Sequence, residues 1–373
     1  MPRKAKKVVV AMSGGVDSSV AAALLLEQGY DVMGCFMRLG TPPEVAEAQA
    51  CSTKPGKQGC CSVLDANDAR RVAGMLGIPF YVLNFSDAFE KVIDYFVGEY
   101  NRGRTPNPCV RCNDWLKYGR LKQYAEAVGA EFVASGHYAR VGTDPVSGER
   151  CLMRGVDTAK DQSYVLFGTD RETLDRTLLP IGGFTKPEIR ALAEERDLPV
   201  FNKPDSQEIC FVPDQNYAGL VERRTGAFEE GEVVDTAGNV LGQHAGYQKY
   251  TIGQRKGLRL AVGKPVYVTN IDPVSNRVVV GDKQDLLSPG LIADQCNLIA
   301  QRAIDAWEPM RCQAQIRYNA EPVEATMQRV GDDKIEVKFA DPQAAVSPGQ
   351  AVCLYDSDIV LGGGWIERAC HAL

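Results

Sequence analysis

The chain has 373 residues, of which 45% are hydrophobic and 24% charged, with a formal net charge of −6. That length exceeds one ordinary core and predicts two or three domains, and the composition is that expected of a soluble globular protein rather than a disordered or fibrous one. The acidic balance excludes a chain that is basic overall, so any surface for nucleic acid is confined to a local patch.

The first segment, MPRKAKKVVVAM, is basic but leads into only a short apolar run, and no stretch approaches the ~18 apolar residues of a membrane helix. The expectation is no signal peptide, no membrane span and a cytoplasmic location. In a reducing compartment structural disulfides are rare, so the 12 cysteines are weighed first as nucleophiles or metal ligands. From Lys7 to about Val200, strand-like runs alternate with helical patterns: KKVVVAM, VDSSVAAALLLEQG, YDVMGCFM, LDANDARRVAGMLG, IPFYVLNF, AFEKVIDYFVGEY and later AEFVASGHYA. That alternation predicts an α/β fold with a doubly wound parallel sheet, and short wholly apolar strands such as VVVAM fit a sheet covered on both faces. TKPEIRALAEERDLP reads as an amphipathic helix opened by Thr185, with Pro187 near its start. After FNKPDSQEICFVPD, Gly and β-branched residues dominate, and IDPVSNRVVVGD reads as a hairpin. Short strands at CQAQIRY, VEATMQRV, KIEVKFA and AVCLYD, separated by turns such as Gly331-Asp332-Asp333, predict a small antiparallel barrel. The expected domains are residues 1–212, a nucleotide-binding and catalytic domain; 213–283, a β-rich domain; and 284–373, the barrel. No internal repeat and no low-complexity segment is present.

The first strand-to-helix junction carries the strongest chemical signal, Ser13-Gly14-Gly15-Val16-Asp17-Ser18. Glycines let backbone N–H groups approach an anion, and the following helix N-terminus adds unsatisfied donors and a favourable dipole. This is a phosphate cradle, but neither a Walker P-loop nor a dinucleotide fingerprint. SGGVDS resembles the PP-loop of the ATP pyrophosphatases, which grip the pyrophosphate end of ATP and leave the α-phosphorus open to attack. The resemblance implies binding of ATP with Mg2+ and release of AMP and pyrophosphate.

Further motifs make the resemblance specific. AMSGGVDSSVAA, RTPNPCVRCN, FVASGHYAR, AKDQSYVLF, PDSQEICFV, HAGYQKYTIGQRKGL, IRY and SPGQAVCLYD are together similar to the tRNA-specific 2-thiouridylases, in family order and over nearly the whole chain. That family replaces the C2 oxygen of the wobble uridine with sulfur. Such chemistry needs adenylation of a poor leaving group and a sulfur nucleophile, and thiolates are suited to carry and exchange sulfur. The resemblance implies that Cys210 carries a persulfide and that Cys112 is its partner. It implies a nucleotide site at Ala11, Met12, Ser13, Gly14, Gly15, Val16, Asp17, Ser18, Met37 and Gly136. Target-base contacts are implied at Asn107, Pro108 and Cys109, and tRNA contacts at His137, Lys160, Asp161, Gln162, Arg317, Tyr318 and Gln350. The implied partners are tRNAs of the Lys, Glu and Gln acceptor type, and a persulfide-donating sulfur-relay protein or cysteine desulfurase.

One departure bears on mechanism. The common family form reads approximately Thr-Pro-Asn-Pro-Asp-x-x-Cys-Asn, whereas here Cys109 stands in the aspartate's place. Cys109, Cys112 and Cys210 thus leave open an iron–sulfur cluster beside the persulfide and thiol pair. Segment 41–62, longer than in many family members, reads as a polar surface loop whose Cys51, Cys60 and Cys61 match no standard zinc spacing. Between Asp235 and Asp272 no acidic residue occurs, while Lys249, Arg255, Lys256, Arg259 and Lys264 lie among Tyr247 and Tyr250. That stretch is the expected local surface for RNA. Two other readings are a PP-loop ligase acting on a small metabolite, similar to argininosuccinate synthase, and a tRNA-binding protein without catalysis. The first leaves the paired cysteines unexplained, the second the intact SGGVDS.

Overall fold

The computed structural model describes residues 5–40, 63–205, 209–212 and 215–370. Segment 41–62, expected as a surface loop and carrying Cys51, Cys60 and Cys61, lies outside the described residues. Two compact units are present: Met1–Val92 with Cys109–Gln215 and Asp358–Val360, and Ile93–Pro108 with Asn216–Ser357 and Leu361–Leu373. None of the described helices is long and apolar enough to cross a membrane.

The first unit is built on five parallel strands, β1 (Lys7–Ala11), β2 (Asp31–Arg38), β3 (Phe80–Asn84), β4 (Phe132–Ser135) and β7 (Thr177–Leu178), in the order β3-β2-β1-β4-β7. β1 reads KVVVA because both of its faces are covered. Side chains alternate across a strand, so Val8 and Val10 enter one core while Val9 and Ala11 enter another. On the first face lie α1 (Val16–Glu27), through Val16 and Val20, and α7 (Lys186–Glu195), through Ile189 and Ala193. On the second face lies α5 (Leu121–Ala127), through Leu121 and Ala125. Each such buried Val or Leu contributes about 1.5–3 kcal/mol relative to exposure. Further α-helices among the described residues of this part of the chain are α2 (Val63–Met75), α3 (Ser86–Asn101), α4 (Pro108–Cys112) and α6 (Arg171–Asp175). A hairpin of β5 (Ala139–Thr143) and β6 (Arg150–Arg154) completes the unit.

The CxxC segment differs from the loop that its prolines suggest. Pro108 occupies the first position of α4, where a missing N–H costs nothing and a fixed φ favours the helix. The helix then widens into a π-helical stretch, Asn113–Arg120, closed by Leu121 N–H donating to Leu116 O. Long π-helical runs are rare and concentrate at functional sites.

In the second unit, β8 (Glu230–Asp235), β9 (Val240–Ala245), β10 (Tyr267–Asp272) and β11 (Arg277–Gly281) form a sheet in the order β10-β11-β8-β9. The expected hairpin is β10–β11, antiparallel. This sheet and α8 (Tyr217–Thr225) follow the first unit in sequence. The C-terminal strands are β12 (Leu287–Leu298), β13 (Met310–Gln315), β14 (Val323–Arg329), β15 (Ile335–Ala344), β16 (Ala351–Asp356) and β17 (Ile359–Cys370). Pairing of β12 with β17 closes them into the expected antiparallel barrel, which removes exposed sheet edges.

Candidate active site

The SGGVDS turn lies between β1 and α1. Gly14 adopts φ +76°, and a Cβ there would fall 2.2 Å from Asp65 O, so only glycine fits both the backbone and the space. The turn is held by its own hydroxyls: Ser13 N–H donates to Ser18 Oγ at 3.1 Å, and Ser19 Oγ donates to Gly15 O at 2.8 Å. Gly15 caps α1 without a side chain, which leaves the first backbone donors of the helix directed at the turn. A Cβ on Gly136 would lie 2.6 Å from Ser18 N. The expected nucleotide residues at the ends of β1 and β4 therefore meet at one place. Met37 is half-buried near the end of β2, level with Leu83 of β3.

Asp17 leads into a chain of alternating charges. Lys186 Nζ donates to both Asp17 oxygens at 2.8 and 2.9 Å and forms an ion pair with Asp205 at 2.7 Å. Tyr138 OH donates to Asp17 at 2.7 Å. Asp205 also receives Lys160 at 2.8 Å and Arg190 at 3.2 Å. Burial pushes the Asp205 carboxyl up, but hydrogen bonds from Lys160 and Lys186 outweigh it and hold the group below its ordinary value. Lys203 makes a second tie, donating to Gly14 O at 2.9 Å, Asp65 at 2.7 Å and Asp68 at 2.6 Å. The segment leading towards Cys210 is thus fastened to the SGGVDS turn at Lys203 and Asp205. The sequence reading missed Lys186, Lys203 and Tyr138 as site residues. A signal existed at Lys186: a cation at the first position of a helix opposes the dipole, so it calls for a local anion.

Each of the paired cysteines is flanked by buried anchors. Cys112 is half-buried between Val110, which is fully buried, and Asn113, whose Nδ2 donates to Val165 O at 2.9 Å. Cys210 is half-buried beside Phe211, which stacks edge-on against Phe89 at 5.5 Å. Cys109 is exposed. Among the described residues, no group of three or more His, Cys, Asp or Glu side chains is placed to hold a metal ion. Two residues beyond Cys112, Asp114 has a buried Oδ1 with no protein hydrogen-bond partner among the described residues. Burial raises its carboxyl to about 7, against the opposing pull of Arg111.

The residues expected at RNA fall into two groups. His137 is buried, with Ser135 Oγ at 2.6 Å from Nδ1 and Lys117 Nζ at 3.1 Å from Nε2. An ammonium cannot accept, so Nε2 accepts and Nδ1 carries the proton. Burial, then the Lys117 charge, hold its pKa well below the ordinary value. Asp161 accepts from the Gly155 and Ser163 N–H groups, and Gln162 Oε1 accepts from Tyr138 N–H, so both brace local turns. Lys160 keeps 38% side-chain exposure in its pair with Asp205. In the second unit Arg317 and Tyr318 are exposed, while Gln350 is half-buried. Of the basic stretch, Arg255, Lys256 and Arg259 are exposed. Tyr247 OH donates to Asn101 O, Tyr250 packs against the β8–β11 core, and Lys264 pairs with Asp282.

Known proteins share this arrangement of sequence. Residues 6–214 match the family described as the tRNA methyl transferase HUP domain, 220–282 the tRNA methyl transferase PRC-barrel domain, and 288–366 the aminomethyltransferase beta-barrel domain. The tRNA-specific 2-thiouridylase MnmA of Carboxydothermus hydrogenoformans is 53% identical over 366 residues, covering 97% of this chain and 98% of that protein. MnmA of Clostridioides difficile is 49% identical over 366 residues, covering 98% and 99%. A 4-thiouridine synthetase–RNA complex with bound ATP is similar at 17% identity and a TM-score of 0.35, over 58% of this chain and 53% of that one. With three family models in register along the chain and about half of all residues identical over nearly its full length, this chain belongs to the tRNA-specific 2-thiouridylase family.

Proposed function

We propose that this chain thiolates C2 of the wobble uridine of tRNA, using ATP. The observation that carries the proposal is the near-full-length relationship to 2-thiouridylases, in a chain that keeps SGGVDS, Cys112 and Cys210. ATP would lie with its phosphates on the Ser13–Ser18 turn, with Mg2+ arriving on those phosphates, while Met37 and Gly136 bound the rest of the nucleotide. The C2 oxygen attacks the α-phosphorus and pyrophosphate leaves. The deprotonated terminal sulfur of a Cys210 persulfide then adds to C2, and AMP departs with the original oxygen. The Cys112 thiolate attacks Cys210 Sγ, and the electrons of the broken sulfur–sulfur bond stay on the sulfur at C2. A Cys112–Cys210 disulfide remains, which a thiol reductant opens before a persulfide-donating protein reloads Cys210.

Asn107, Pro108 and Cys109 line the base site in this reading. Lys160, Arg317, Tyr318, Arg255, Lys256 and Arg259 supply exposed contacts for Lys, Glu or Gln tRNA, and His137, Asp161, Gln162 and Gln350 shape the surfaces that carry them. The persulfide and thiol pair is favoured over a cluster held by Cys109, Cys112 and Cys210, because Cys109 is exposed and the family's usual aspartate leaves only two thiols. Incubation with ATP, unmodified tRNA, a thiol reductant and a cysteine desulfurase with cysteine as the persulfide donor should yield 2-thiouridine, AMP and pyrophosphate. Release of ADP would refute the assignment.

A further inference from the structure

Lys203 ties the Ser13–Ser18 turn from outside. Its Nζ donates to Gly14 O at 2.9 Å, to Asp65 at 2.7 Å and to Asp68 at 2.6 Å. Both carboxylates belong to α2 and Gly14 to the turn, so one ammonium joins separate parts of the first unit. The base of the side chain is fixed as well. Lys203 N–H donates to Val200 O at 3.0 Å, and Arg190 of α7 donates to Phe201 O at 2.8 Å and to Lys203 O at 3.0 Å. The next carbonyl of the turn, Gly15 O, is engaged by the Ser18 and Ser19 hydroxyls at 3.3 and 2.8 Å.

The chemistry of an ammonium decides what this tie can do. Its three hydrogens meet three acceptors, so none is left over for a phosphate. One positive charge against two carboxylates leaves the group net negative, which excludes Lys203 as the point charge that grips an anion. Burial pulls its pKa down, but the bonds to Asp65 and Asp68 outweigh that and hold it above the ordinary value, so the ammonium stays charged. What it fixes is a direction. In a trans peptide the C=O and N–H point opposite ways, and the Gly14–Gly15 peptide is trans. With Gly14 O drawn to Lys203, Gly15 N–H points away from Asp65 and Asp68. The backbone can turn this way because Gly14 adopts φ +76°. A carbonyl turned into the cradle would repel a phosphate, whereas an N–H there attracts one.

We propose that Lys203 is a positioning residue of the nucleotide site, which holds Gly14 O so that Gly15 N–H is presented to a phosphate of ATP. This rests on the reading of the Ser13–Ser18 turn as the ATP site. Lys203→Met keeps the length of the side chain and removes all its donors. In calorimetric titration with ATP and Mg2+, its ATP Kd should rise about 10–100-fold, the scale of one hydrogen bond to a charged group. The tRNA Kd should stay within about twofold of the parent. A second variant adds Asp65→Asn and Asp68→Asn to Lys203→Met, which strands no carboxylate, and it carries the measurement where the single variant does not fold. Its ATP Kd should stay raised, because the peptide is still unheld. An unchanged ATP Kd in Lys203→Met overturns the proposal. So does recovery of the parental ATP Kd in the triple variant, since the ammonium would then only neutralise two carboxylates. An equal loss of tRNA affinity also overturns it, because that reports general loosening. Hydrogen exchange of the parent separates the two readings, since ATP with Mg2+ should slow exchange at Gly14, Gly15 and Asp17. If it does, and Lys203→Met binds ATP as the parent does, the nucleotide-site reading stands and the role of Lys203 falls. If ATP leaves those amides unchanged, the nucleotide-site reading falls and the proposal with it.

Discussion

Asp114→Asn tests whether the residue two positions after Cys112 is held as a neutral acid. Its Oδ1 is buried without a protein partner among the described residues, and Gly168 leaves room for the carboxyl, since a Cβ there would lie 2.1 Å from Oδ1. Burial moves the group from 3.8 to about 7, and Arg111 offsets only part of that. Between about pH 4 and 7 the folded chain keeps a proton that the unfolded chain has released. Stability therefore falls as pH rises through that window and flattens above it. A proton held across that whole window sets a ceiling of about 4 kcal/mol, with a slope of at most ~1.4 kcal/mol per pH unit. Relaxation around the charged form reduces that, so about 1–3 kcal/mol is the expected range. Asparagine imitates the neutral acid at every pH. In urea denaturation at pH 5, 6, 7 and 8, the difference between variant and parent should be small at pH 5 and grow in favour of the variant to pH 8. A constant difference, or one that favours the parent at pH 8, would refute the neutral-acid reasoning.

The sequence exposed those parts of the fold that follow from period and punctuation. VVVAM announced a doubly covered strand, and Thr185 with Pro187 announced α7, because caps and apolar runs are local signals. The glycines of SGGVDS announced the tight turn between β1 and α1 for the same reason. The charge chain from Lys160 through Asp205 and Lys186 to Asp17 was not legible, since it joins four positions brought together only by packing. The same holds for Lys203, whose acceptors on Gly14, Asp65 and Asp68 lie 189, 138 and 135 residues away in sequence. The helix at the CxxC segment had one local signal, since a proline at the first helical position starts a helix.

The remaining predictions address packing, the charge chain and sulfur chemistry. Gly168→Ala drives a methyl into the Asp114 carboxyl and should cost about 1–3 kcal/mol in urea denaturation; Asp114→Ala in the same chain should recover most of it, and additive losses would show that the two residues do not meet. Lys186→Met leaves Asp17 and Asp205 without their shared cation and should cost about 2–4 kcal/mol, below the full loss for a buried pair because Asp17 keeps 30% exposure. Pyrophosphate release should fall with it, and unchanged stability would show that the chain of charges is not held in solution. Cys210→Ser should block thiolation while ATP and tRNA binding persist, because only sulfur transfer is removed; loss of tRNA binding would assign Cys210 a structural role. The last test concerns Cys109. A thiol pair needs only Cys112 and Cys210, so the third thiol is dispensable to that mechanism. Cys109→Asp in aerobically purified, iron-free protein should therefore keep thiolation, whereas Cys112→Ser should abolish it. Iron–sulfur ligation requires three thiolates brought together around one cluster, and a carboxylate at 109 would remove one of them. Activity that appears only after anaerobic reconstitution with iron and sulfide, and that vanishes in Cys109→Asp, would make the CxxC a cluster clip and overturn the pair.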